Sequence, residues 1–391
     1  MNKFSYWIPG IIIVLLIWPV NVFSADEAKT AQDLQTSEIQ EPPKEPKTLQ
    51  IGESAPDFNL PGVDGKYYKL NDFAKADILV IIFTCNHCPT AQAYEERIKQ
   101  ISKDYKNKSV ALVAISPNDP KAVSLAELGY TDLSDSLFEM KIRAQLQNFD
   151  FPYLYDGDKQ KVSSAYGPMT TPHVFIFDKE RKLRYVGRID DSEKIGKAKT
   201  HDTRNAIEAL LAGKPVPLEK TRTFGCSIKW SSKRAAVKRA LETWADEEIV
   251  LKPIDAKGTQ ELIKNDSKKL RLINFWATWC GPCIMEFPEL VATNRMYRNR
   301  DFEMITINLD FLSRKEEALS FLKKQQASCS NYIYNSEDIY PFIEAVSNDW
   351  QGSIPFTLLV EPGGKVINNT TGMIDPLQMR RAIIGYLGRY Y

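Results

Sequence analysis

Two short stretches rich in apolar β-formers, Ile78 to Phe83 and Leu272 to Trp276, each give way to a Cys-x-x-Cys pair and then to charged sequence with helical periodicity. The pairs are Cys85-Asn86-His87-Cys88 and Cys280-Gly281-Pro282-Cys283. This pattern predicts a strand that delivers each pair to the start of a helix. After the first pair, Tyr94, Ile98, Ile101 and Tyr105 fall on one helical stripe. A strand over 110–115, a hairpin of 174–177 with 183–186, and a helix over 202–211 complete the first unit. The second half repeats the plan, with strands over 272–276, 302–309 and 356–360 and helices over 282–297 and 315–324. A turn at Gly363-Gly364, a strand near 366–367 and a helix over 376–387 follow. Each half also sets an x-Pro pair just before its hairpin strand, Thr171-Pro172 and Ile354-Pro355, and both prolines are expected to be cis, in turns facing the dithiol. The class predicted is α/β, with a domain-sized repeat.

The ends of the chain change this picture in one respect. Lys3, an apolar core from Ile8 to Val20 and Val22-Phe23-Ser24 before Ala25 read as a signal peptide over residues 1–24, so the chain is expected to be exported, to the periplasm or another extracytoplasmic space. The alternative is an uncleaved N-terminal membrane tether. Residues 25–48, rich in Glu, Lys, Gln and Pro, are too polar to form a core and read as a disordered linker. The remaining length suits two domains, 49–222 and 247–391, with a connector over 223–246. Within that connector Ser231 to Asp246 reads as a basic amphipathic helix docked on one domain through Ala235, Val237, Ala240, Leu241 and Trp244. Charge is balanced, Lys+Arg 51 against Asp+Glu 50, which argues against a nucleic-acid partner.

The chemistry follows from where the cysteines fall. A helix N-terminus presents unpaired N–H groups and the positive end of the dipole, so it favours a thiolate over a thiol. At the second pair Cys280 is expected to attack and Cys283 to resolve the mixed disulfide. Glu286, one turn beyond Cys283, either moves a proton in that step or is a first-turn acid favouring the dipole. At the first pair the His87 imidazolium is expected to favour the Cys85 thiolate, stabilise the reduced form, and so make Cys85–Cys88 the more oxidising disulfide. No cofactor is called for.

Two family resemblances become specific at this point. The segment Phe275-Trp276-Ala277-Thr278-Trp279-Cys280-Gly281-Pro282-Cys283, with Glu286, Pro288 and Leu290 after it, resembles the active-site strand and helix of thioredoxin-fold reductases of the TlpA/ResA branch. The first half is similar to peroxiredoxin-like redoxins of the AhpC/TSA superfamily. It does so through Ile51-Gly52-Glu53-Ser54-Ala55-Pro56-Asp57-Phe58, Thr84-Cys85-Asn86-His87-Cys88-Pro89, Thr171-Pro172 and Gly187-Arg188-Ile189-Asp190-Asp191. The resemblance implies two thioredoxin-fold domains and a thiol–disulfide oxidoreductase. It also implies protein thiol or disulfide substrates bound near Trp279, Ile354, Pro355, Thr171 and Pro172, and a membrane thiol reductase as electron donor. True peroxiredoxins carry Thr three residues before the reactive cysteine; Ile82 stands there for Cys85 and Cys85 itself for Cys88, which counts against a thiol peroxidase. Gly225-Cys226-Ser227-Ile228-Lys229-Trp230 resembles the tail of the same redoxins, so Cys226 is either an auxiliary thiol for the first pair or a structural cysteine, as Cys329 is expected to be.

Rival readings stay open. Cys85, Cys88 and His173 form a two-thiolate, one-imidazole set suited to Cu(I), which resembles copper chaperones of the Sco type, although those use a longer Cys-Cys spacing. A purely structural role for both pairs is the non-enzymatic alternative, disfavoured because a two-residue loop closes little chain entropy. Haem attachment is excluded, since neither pair is followed by His.

Overall fold

The computed structural model describes residues 46–347 and 349–390; the signal peptide and most of the linker lie outside the described residues. A small antiparallel hairpin, β1 (Asn59–Pro61) and β2 (Tyr67–Lys69), precedes the first main sheet. That sheet contains β3 (Ile78–Phe83), β4 (Val110–Ser116), β5 (Tyr153–Tyr155), β7 (His173–Phe177) and β8 (Leu183–Gly187), in the order β5-β4-β3-β7-β8. The first three strands run parallel and the last two form an antiparallel hairpin. Helices α1 (Pro89–Tyr105), α2 (Leu137–Gln147), α3 (Lys161–Tyr166) and α4 (Asp202–Leu211) accompany it. The unbroken apolar run of β3 reflects burial on both faces: Ile78, Val80 and Ile82 join one core with Tyr94, Ile98 and Ile207, while Leu79, Ile81 and Phe83 join another with Phe175 and Tyr166. A separate two-stranded ladder pairs β6 (Thr170–Thr171) with β9 (Cys226–Ser227).

The second sheet has the order β10-β13-β12-β11-β14-β15, from β10 (Leu251–Ile254), β11 (Leu270–Trp276), β12 (Phe302–Asn308), β13 (Ser330–Tyr334), β14 (Phe356–Val360) and β15 (Val366–Thr371). Here too the central strand is parallel to one neighbour, β12, and antiparallel to the other, β14. Its helices are α6 (Ala256–Lys264), α7 (Gly281–Tyr297), α8 (Lys315–Lys324), α9 (Tyr340–Val346) and α10 (Pro376–Leu387). Both domains are thus thioredoxin folds, as the sequence predicts. Both expected prolines are cis, Thr171-Pro172 and Ile354-Pro355.

The connector helix α5 (Arg234–Ala245) differs from expectation. It buries no residue completely and touches both domains. Arg234 pairs with Asp119 of the first domain, while Trp244 lies beneath the guanidinium groups of Arg295 on α7 and Arg298 just after it. The reason is its narrow apolar stripe: Leu241 stays 41% exposed, so cation–π and ionic contacts at its ends hold it instead. The residues just before it, Ile228 to Trp230, are buried in the first domain, where Asp119 donates its N–H to Lys229 O at 3.0 Å.

The domains also meet directly. Leu128 of the first domain belongs to the same core as Leu290, Met296 and Tyr297 of the second. Tyr297 Oη donates to Thr131 O at 2.7 Å, Arg300 to Gly129 O at 2.9 Å, and Asp132 pairs with Arg381 and Arg389 at 3.2 and 2.6 Å.

Candidate active site

The first dithiol stands where β3 ends and α1 begins. Cys88 is the N-cap of α1, its sulfur accepting the Ala91 N–H at 3.4 Å, and Pro89 follows at the first helical position, where a missing N–H costs nothing. The loop is fixed by a residue that no motif announces, Asp135. Its carboxylate accepts the Asn86 N–H at 2.8 Å, the His87 N–H at 3.1 Å, His87 Nδ1 at 2.5 Å and Asn118 Nδ2 at 2.8 Å. Burial opposes the charge on His87, but Asp135 overcomes it and raises the imidazole pKa, while His87 lowers that of Asp135, so the pair favours a protonated ring beside an ionised carboxylate.

That cation acts on Cys88 more than on Cys85, which differs from the expectation. Burial pushes the Cys88 thiol up, yet hydrogen bonds from the thiols of Cys226 and Cys85, the charge of His87 and the Ala91 N–H together hold it well below the usual thiol range. For Cys85, burial, its donation to Cys88 and the Asp135 charge all act upward. The low-pKa thiol of this pair is therefore the second cysteine, which receives hydrogen bonds from the Cys226 and Cys85 thiols, lies near the His87 charge and caps the helix. Cys85 Sγ and Thr171 Oγ1 lie 3.1 Å apart, and Cys88 Sγ lies 3.3 Å from Thr171 O, so the turn before cis-Pro172 faces both sulfurs. Cys226 arrives at the same place through β9, with its N–H 3.4 Å from Cys88 Sγ. Both dithiol sulfurs are shut in, Cys85 at 3% exposure and Cys88 at 0%.

The set Cys85, Cys88 and His173 is not brought together. His173 turns to the other face of the sheet, its ring 4.7 Å from that of Phe175, and its Nδ1 accepts the Met169 N–H at 3.2 Å. Burial lowers its pKa to about 3. Among the described residues the metal-type donors that do converge are Cys85, His87 and Asp135, within 4.8 Å of one another. The carboxylate already accepts four hydrogen bonds, which fill the lone-pair positions a cation would need.

At the second site β11 leads through Ala277-Thr278-Trp279 to Cys280, which caps α7 and accepts the Cys283 N–H at 3.3 Å. Cys280 and Cys283 form a disulfide. Asp310 holds the approach by accepting from Thr278 N–H and Oγ1 at 3.0 and 3.1 Å. Glu286 is 2% exposed, accepting Asn274 Nδ2 at 3.0 Å and the Ile374 N–H at 2.8 Å. Burial raises its pKa above the usual carboxylate value, against those two donors. Exposed apolar side chains stand next in sequence to residues of this site: Trp279 before Cys280, Phe311 after Asp310, and Met373 before Ile374. Cys329 is apart from both sites; its thiol, pushed up to about 12 by burial, donates to Asn331 Oδ1 at 3.3 Å.

Sequence comparison agrees with this division. Residues 51–186 match the AhpC/TSA family and residues 250–321 match Thioredoxin. A thioredoxin-like chloroplast protein, CITRX of Solanum tuberosum, is 37% identical over 79 residues, 20% of this chain and 45% of that protein. The thiol–disulfide oxidoreductase ResA of Bacillus subtilis is 24% identical over 124 residues, 30% of this chain and 62% of that protein. The chain thus spans about half to three-fifths of these relatives' length. An uncharacterized conserved protein of Geobacillus kaustophilus, known as a crystal structure, is 36% identical and covers 48% of this chain and 95% of its own, with a TM-score of 0.43. The chain therefore carries an AhpC/TSA-family domain followed by a thioredoxin-family domain.

Proposed function

We propose that the chain is an exported thiol–disulfide oxidoreductase that exchanges disulfides with protein substrates through two unequal dithiols. The observation that carries this reading is that each Cys-x-x-Cys pair caps a helix, with a sulfur accepting a backbone N–H, in a domain that also carries a cis-proline turn, which at the first pair faces both sulfurs. Such a position stabilises a thiolate, the attacking species in exchange. Cys280 attacks the client, Cys283 resolves, and Glu286 carries the proton between thiol and leaving group. Trp279, Ile354 and Pro355 form the client-facing edge. Export rests on the signal-like residues 1–24, and a membrane thiol reductase is the electron donor that an exported dithiol of the reducing kind needs.

The first dithiol is the more oxidising of the two. His87, kept cationic by Asp135, stabilises the Cys88 thiolate and hence the reduced form, and a stabilised reduced form means a stronger oxidant. The second pair has Gly281 and Pro282 in that place and gains no such cation. Peroxidase chemistry is disfavoured by Ile82 and Cys85, which stand three residues before Cys85 and Cys88 where true peroxiredoxins carry Thr, and copper delivery through His173 by its separation from the dithiol. The test is trapping. A Cys283→Ala chain should hold client proteins as mixed disulfides on Cys280 that dithiothreitol releases, and the wild-type chain should reduce an unfolded disulfide-bonded protein. Dithiols inert to oxidised glutathione and to protein disulfides would remove the reading.

A further inference from the structure

The first dithiol is closed from within by a piece of its own chain. Strand β9 pairs antiparallel with β6, and the register sets Cys226 opposite Thr171, the residue before cis-Pro172. Thr171 is also the residue whose Oγ1 and carbonyl face Cys85 and Cys88. A short strand beside a dithiol is a natural docking edge for an extended peptide, with backbone hydrogen bonds supplying affinity. Among the described residues no strand pairs with the corresponding positions of the second domain, 353–354. In the first domain that edge is taken, and it delivers a cysteine: Cys226 packs against Cys85, Cys88 and Ala91, with its N–H on the Cys88 sulfur at 3.4 Å. The fit depends on Gly225. Its φ of +137° lies where side chains are strained, and a Cβ there would stand 2.1 Å from Thr171 O.

We propose that Cys226 is the internal exchange partner of the first dithiol, occupying the place of a client's cysteine and resolving mixed disulfides on Cys88. This deepens the exchange reading above and rests on it. Written in the reducing direction, of which oxidation of client thiols by this pair is the reverse, the Cys88 thiolate attacks a client disulfide, one client sulfur leaving as a thiolate that takes a proton from solvent. Cys226 then attacks the Cys88 sulfur; the Cys88–client bond breaks, the Cys88–Cys226 bond forms, and the second client sulfur leaves with the proton that Cys226 gives up. Two electrons pass from the Cys88 and Cys226 sulfurs to the client disulfide, which becomes two thiols. Cys85 can afterwards displace Cys226 from Cys88, giving the Cys85–Cys88 disulfide and returning Cys226 to the thiol. The first domain is then a three-thiol centre.

The experiment treats the reduced full chain with oxidised glutathione, quenches in acid, blocks free thiols with N-ethylmaleimide and maps the cysteines by peptide mass spectrometry. In Cys85→Ser the Cys88–Cys226 cross-link should exceed the Cys88–glutathione adduct by about tenfold, since a tethered thiol acts at millimolar effective concentration or above. Adding Gly225→Ala should shift that balance toward the adduct, and adding Cys226→Ser should leave the adduct alone. The wild-type chain, which needs no substitution to fold, should give the same cross-link beside Cys85–Cys88 on partial oxidation. A persistent Cys88–glutathione adduct with Cys226 blocked by maleimide overturns the inference alone. No reaction at Cys88 in any of these chains overturns the exchange reading itself.

Discussion

Cys88 owes its low pKa first to the thiols of Cys226 and Cys85 and then to a chain of contacts that begins at Asp135. The carboxylate keeps His87 protonated, and the imidazolium, the Ala91 N–H and the neighbouring thiols hold the negative charge on the Cys88 sulfur. A thiol whose folded pKa is depressed stabilises the reduced fold above the unfolded thiol value, about 8.5, and loses that contribution as pH falls through the folded value. Thiolate absorbance near 240 nm, taken as wild type minus Cys88→Ser, should therefore persist below the ordinary thiol value; a midpoint at that value would contradict this. Asp135→Asn removes the partner of a buried cation, so the Cys88 midpoint should move upward. The reduced chain should lose about 3–5 kcal/mol, read from denaturant melts. At the second site Glu286→Gln keeps the shape of the side chain and removes its titration. Exchange at Cys280–Cys283 should slow by roughly 10²-fold or more, in the range typical of a lost proton-transfer group, with the melting temperature little changed. An unchanged rate would leave Glu286 as a structural acid.

At the scale of elements, α1 is tied to α2 by Arg143, which donates from Nε and a terminal nitrogen to the Glu95 carboxylate at 2.8 and 2.7 Å, with both residues buried. Arg143→Ala leaves Glu95 buried without its cation and should cost about 3–5 kcal/mol, measured by thermal unfolding, whereas a loss under 1 kcal/mol would mean the pair is dispensable. Strands β3, β4 and β11, helices α1, α4, α7, α8 and α10, and both cis prolines were legible because each depends on local pattern: apolar runs, a helical stripe, x-Pro before a strand. The contacts that complete the first site were not. Asp135 sits in a loop with no motif, and its role exists only because that loop folds back under Asn86 and His87. Cys226 stood out in the sequence, but its register opposite Thr171 depends on a two-residue ladder. His173 misled because adjacency to Pro172 says nothing about which face of the sheet its side chain takes.

Across the whole molecule the two domains are packed on each other as well as connected. Gly129 brings its loop so close to α7 that an added Cβ would lie 3.0 Å from Met296 O, and Leu128 beside it enters the second domain's core. Arg389, near the end of the described chain, pairs with Asp132 and donates to Gln92 Oε1 on α1 at 3.2 Å, so the second domain reaches the helix that carries the first dithiol. Leu128→Ala should cost about 2–5 kcal/mol and expose amides on both sides of the contact to hydrogen exchange. Protection lost in the first domain alone would show that the contact is superficial. The central claim, that the dithiols are unequal, is tested most directly by equilibrating the full-length wild-type chain with glutathione buffers of graded potential and mapping every cysteine pairing. The account predicts that Cys85–Cys88 is reduced at a higher, more oxidising potential than Cys280–Cys283; equal potentials or the reverse order would contradict it.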